Sequence, residues 1–292
     1  MTQGAQPDRG AQRIVWGQLH RVGWHVAQST PTAAPGRNAP RRVHCRRPMT
    51  AATPITAVKP IGTSLYRGLL MSAQHRSANG LFVSGNWTIS TCESDIINYE
   101  PSVAGIELVK PGDPAYDRGS CGVTDQKHVV NMSTVYQLPN HAGALGKLAS
   151  DWQVSAIVSG RSGTHFSATT GVDTVLNGQA NQRPDKVSDN VYVKQGYRWL
   201  SPTAFRTPAP GVFGNLVNNS LIGPGRFNVD MGLVRSFKFG GERMIQFRAE
   251  AFNVFNRVNL GNPVSALNSS NFGLITSASD PRIIQLALKY AF

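Results

Sequence analysis

Seven segments of this chain alternate apolar and polar side chains over about ten to thirteen residues each. A period of two held for that long restricts the fold to extended strands in a sheet with two unlike faces. The segments are 65–76, 81–92, 127–137, 150–161, 226–238, 244–255 and 281–292. In RFNVDMGLVRSFKF, Phe227, Val229, Met231, Leu233, Phe237 and Phe239 share one side, with Arg235 intruding. Asn228, Asp230, Gly232, Ser236 and Lys238 take the other, with Val234 the exception. In MIQFRAEAFNVF, Ile245, Phe247, Ala249 and Ala251 oppose Gln246, Arg248 and Glu250. The closing RIIQLALKYAF sets Ile284, Leu286, Leu288, Tyr290 and Phe292 against Gln285, Ala287, Lys289 and Ala291; Ile283 breaks the pattern.

Two-faced strands have two common homes. A soluble sandwich uses strands of about 5–6 residues, whereas a tilted strand needs about 9–11 to cross a bilayer. The length favours the membrane, and so do the connections. In order they are 77–80, 93–126, 138–149, 162–225, 239–243 and 256–280, alternating strictly between shorter and longer. Outer-membrane barrels keep short turns on the periplasmic side and long loops outside, while a sandwich has no such requirement. The expected fold is therefore all-β, an antiparallel transmembrane β-barrel, with a soluble β-sandwich as the alternative. On the barrel reading, the chain end lies on the short-turn side. Phe292 then sits at the periplasmic rim, where aromatic side chains form a girdle.

Composition agrees. Charged residues make up 15% of the chain, against about 25% in a typical soluble domain. No apolar run is long enough for a membrane-spanning helix. The net charge of +13 is uneven: residues 1–60 hold nine Lys or Arg against Asp8 alone, giving +8 of it. RRVHCRR (41–47) is the densest stretch. It has neither amphipathic period nor interleaved aromatics, so residues 1–61 read as a disordered or non-genuine basic, Pro/Arg-rich leader, not a nucleic-acid reader. Arg and Pro interrupt every candidate apolar stretch there, so no signal-peptide pattern forms. No metalloprotease, phosphate-loop, nucleophile-elbow or dinucleotide motif is present. HAGALGK (141–147) reads as a polar turn. Neither Cys45, Cys92 and Cys121 nor the seven His have metal-ligand spacing. The expectation is a non-enzyme without cofactor or metal.

Longer stretches carry a family resemblance. RAEAFNVFNRVNLGNP (248–263) and FGLITSASDPRIIQLALKYAF (272–292) closely resemble the tail of TonB-dependent outer-membrane receptors of the Oar-like group. GTSLYRGLLMSAQHRSANGLFVSGNWTIS (62–90), DWQVSAIVSGRSGTHFSATTG (151–171) and GNLVNNSLIGPGRFNVDMGLVRSF (214–237) resemble hairpins and strands of the same barrel. The resemblance covers residues 62–292 and implies the C-terminal portion of a larger barrel. An intact relative would bind a ligand at its outer loops and import it with energy delivered through TonB. The implied partners are outer-membrane lipid, the barrel-assembly machinery and an unidentified ligand, with the TonB complex engaged only by a full-length relative. Such relatives are several times longer, and no plug or TonB-contacting segment is recognisable here. A small autonomous pore or adhesin barrel is the competing function.

Individual residues follow from this frame. Tyr290 and Phe292, two apart, resemble the C-terminal signal that barrel-assembly machinery recognises. Asp230, Lys238, Arg248 and Glu250 are candidate lumen-facing residues, a solvated sheet face being the equal alternative. Cys92 and Cys121 both fall at the outward end; a bridge there would close a loop worth about 3–4 kcal/mol in the chain-entropy model. Two free thiols are the other possibility. The Asn-x-Ser/Thr sites at Asn86 and Asn131 lie within predicted strands. Asp173, Asp185 and Asp189 match no calcium-loop spacing and read as solvated loop charges.

Overall fold

A computed structural model describes residues 62–95, 108–110, 112–139, 150–178, 182–239 and 243–292. The leader and the HAGALGK turn lie outside these residues. Seven long strands form where the alternation predicts them: β1 (Ser64–Arg76), β2 (Leu81–Ser94), β3 (His128–Gln137), β4 (Trp152–Arg161), β5 (Arg226–Phe239), β6 (Arg243–Phe252) and β7 (Ile283–Ala291). Each pairs antiparallel with its chain neighbours in one sheet, and Gly119–Ser120 adds a short rung to β2. The largest boundary difference is in β6. It stops at Phe252, before the expected 255, because Asn253 turns to φ +50° and its carboxamide oxygen accepts the Arg257 N–H at 2.9 Å.

Short connections lie at one end of the sheet and long ones at the other. β1 and β7 run in the same direction, and each has one edge without a strand among the described residues. The wall is open.

Register partners share a face, so the pairings sort the side chains. One face carries Trp87, Val130, Met132, Val158, Leu233, Phe247, Leu286 and Leu288, linked rung by rung. Many of these remain open: Leu286 is 71% exposed and Leu288 72%. Among the described residues no second long-stranded sheet packs on this face, whereas a sandwich pairs two such sheets over one core. Aromatic residues gather toward the short-turn end: Tyr136, Trp152, Phe237, Phe239, Tyr290 and Phe292. The intruding Arg235 is accommodated there, its guanidinium 5.1 Å from the Trp152 ring and 4.4 Å from that of Phe237. Both lie within cation–π range.

The opposite face is polar. Asn131 donates from Nδ2 to Asn86 Oδ1 at 3.2 Å, and Gln246 donates to Ser236 Oγ at 3.3 Å.

The buried apolar core lies in the long loops. Phe166, Leu200, Phe205, Leu216, Leu221 and Phe272 pack together, with the Phe205 and Phe272 rings edge to face at 5.5 Å. A small hairpin, Tyr192–Gln195 with Arg198–Leu200, supports this cluster but stays outside the main sheet. Elsewhere among the described residues of 162–225, the ordered pieces are two-residue strand pairs and a single 3-10 turn at Pro202–Ala204. The first and second long loops are tied by a buried ion pair, Arg183 Nη1 to Asp117 Oδ1 at 2.7 Å. Arg183 also donates to the carbonyls of Leu216 and Tyr116 and lies 4.0 Å over the Tyr116 ring. Gly119 makes the approach possible, since a Cβ there would strike the Asn218 carbonyl.

Candidate functional site

A cleft of about 930 Å³ opens on the polar face at the long-loop end. The strands β4 to β7 supply Ser159, Arg161, Arg226, Asn228, Asp230 and Gln285 to one wall. The long loops close the other, with Gln126 from the first, Thr164 from the second and Asn259, Asn262, Ser277 and Asp280 from the third. The lining is rich in carboxamides and hydroxyls, groups able both to donate and to accept.

Several of these side chains are held in place. Asp230 Oδ1 accepts from Asn228 Nδ2 at 2.7 Å and from the Asn253 N–H at 2.8 Å. Asn259 accepts the Phe227 N–H at 2.9 Å, fixing the third loop to the start of β5. Thr164 and Asn262 are hydrogen-bonded across the rim, Nδ2 to Oγ1 at 3.0 Å. Gly225 lets β5 begin close beside the end of β4, for a Cβ there would lie 3.0 Å from the Arg161 carbonyl oxygen.

The four candidate lumen residues all lie on the polar face, but only Asp230 lines the cleft. Arg248 and Glu250 stand lower on β6 as an ion pair of 3.5 Å, and Lys238 is nearer the short-turn end. Tyr290 and Phe292 stack at 5.8 Å on the apolar side, with Phe292 94% exposed. Cys92 and Cys121 are joined in a disulfide with Cα atoms 5.3 Å apart. Asp173, Asp185 and Asp189 serve three separate contacts. Asp173 accepts the Asn177 and Gly178 N–H groups, Asp185 the Asn215 N–H, and Asp189 an ion pair with Lys186 at 2.7 Å. The ammonium of Lys186 holds the Asp189 carboxyl below its ordinary range. Burial pushes the Asp117 carboxyl upward, against the opposing pull of Arg183.

Sequence reasoning missed Arg161, Arg226, Asn259 and Asn262. The available signal for the arginines is their shared setting, an Arg beside glycine at a strand end in SGRSGT and in GPGRF.

A meander of long antiparallel strands, apolar on one face and enclosing a polar cleft with the other, defines the wall of a membrane-spanning β-barrel. The chain belongs to the outer membrane beta barrel domain family, whose model matches residues 19–285. That match begins inside the stretch set apart above as a leader and extends into β7. No curated protein and no solved structure matches the chain.

Proposed function

We propose that the chain is part of an outer-membrane receptor of the TonB-dependent, Oar-like kind, and that it binds a ligand in the cleft before import. The observation that carries this reading is the position of the cleft: it sits on the polar face, at the end where the long loops converge. Ligand sites are concave and framed by a few convergent polar groups, and loops held by a rigid scaffold are their usual place. The apolar face meets lipid, and Tyr290 with Phe292 forms the terminal signal read by the assembly machinery. Energy arrives through TonB in the intact receptor, and no step is enzymatic.

Deleting the gene and, separately, the host's TonB, then measuring accumulation of labelled nutrients across a panel, tests the reading. The same subset of nutrients is expected to be lost in both strains. Uptake that depends on this gene but survives loss of TonB would reassign the protein as a passive pore.

A further inference from the structure

Arg161 closes β4 and Arg226 opens β5, and the two are register partners on the polar face. Cross-strand partners hold their Cβ atoms about 4.5–5.5 Å apart, and like charges so placed repel. Among the described residues, neither guanidinium has an ion pair or a side-chain hydrogen bond. Asp230, the carboxylate on the same strand, is about 13 Å further along at about 3.3 Å per residue, and it is engaged with Asn228 and Asn253. Asp280 belongs to the wall supplied by the third loop. One rung below the arginines, Ser159 and Asn228 form the next pair on this face. Both rungs line the cleft, with Ser162 and Thr164 beside them.

An oxyanion placed between two guanidiniums converts their repulsion into two charge-assisted contacts, and each planar fork of N–H donors fits a carboxylate or phosphate. We infer that Arg161 and Arg226 form an anion-binding subsite, taking the carboxylate or phosphate group of a soluble ligand that enters from the long-loop end. Ser159 and Asn228 donate to the oxygens left over. The subsite lies on the face opposite the apolar band, which separates it from lipid headgroups. The inference rests on the cleft being a ligand site and is independent of whether transport is TonB-coupled.

Calorimetric titration of the purified chain in detergent micelles with inorganic phosphate and with citrate tests it without any uptake assay. Saturable binding is expected, weakened about tenfold or more in R161Q and in R226Q, since each removes hydrogen bonds to a charged group. R248Q, on the same face but already paired with Glu250, should bind like the parent. Both cleft variants should melt no lower than the parent, because each relieves like-charge repulsion. Absence of saturable binding in the parent, or equal affinity in R161Q and R226Q, would overturn the subsite. Competition by phosphatidylglycerol added to the micelles would overturn its assignment to a soluble ligand, and indifference to that lipid supports it. The tighter of the two probes identifies the favoured anion.

Discussion

Arg183 is 2% exposed and Asp117 is wholly buried, so their ion pair is shielded from water. Removing one member of such a pair leaves the other charge uncompensated, at a cost of about 3–5 kcal/mol. R183M is therefore expected to loosen the whole loop body, read as faster amide exchange at Val109 and Asn219. D117N/R183M should recover part of the loss, because no bare carboxylate remains; a double variant as damaged as R183M would contradict this account. None of it was legible in the sequence. Arg183 sits in a polar, turn-rich stretch, and the partner that buries it is 66 positions away. Arg161 and Arg226 are also far apart in the chain and meet only through the register of β4 and β5. The Cys92–Cys121 bridge was foreseeable as a pairing, since both ends fall at the same end of the sheet, but not as a certainty.

The strands, by contrast, were readable at the level of the element. Period-two alternation is a local property: it is complete within ten residues and needs no knowledge of the partner. All seven appear within three residues of their expected bounds, and the alternation of short and long connections follows. Asp173, Asp185 and Asp189 read as solvated loop charges, yet the long loops also hold the apolar cluster around Leu200 and Phe272. Their apolar residues are spaced irregularly, so burial arises from long-range packing that no window reveals. The two faces of β7 make a direct test. L286R places a charge on the lipid side, where it costs about 2–4 kcal/mol near the bilayer centre. A287R, one residue along, points to the polar face and should cost far less. Urea titration of folding into lipid vesicles compares them, and equal losses would mean that the faces are wrongly assigned.

At the scale of the whole molecule, the hydrophobic core and the membrane-facing surface occupy different parts of the chain. The loops bury their apolar side chains against one another, whereas the sheet turns its own outward. The direction of the two edge strands sets a further limit. Cysteines introduced at Ser72 on β1 and, in turn, at Gln285, Ala287 and Lys289 on β7 are expected not to cross-link in the folded protein, as judged by mass spectrometry. Any such bridge would show the two edges meeting. The reason is one of parity. Seven antiparallel strands start and finish with the same sense, so bringing β1 against β7 makes a parallel seam. Copies inserted side by side in one bilayer all share that sense, and a ring of them would repeat the mismatch at every junction, whatever their number. A fully antiparallel circumference that contains this wall must therefore add an odd number of further strands to it.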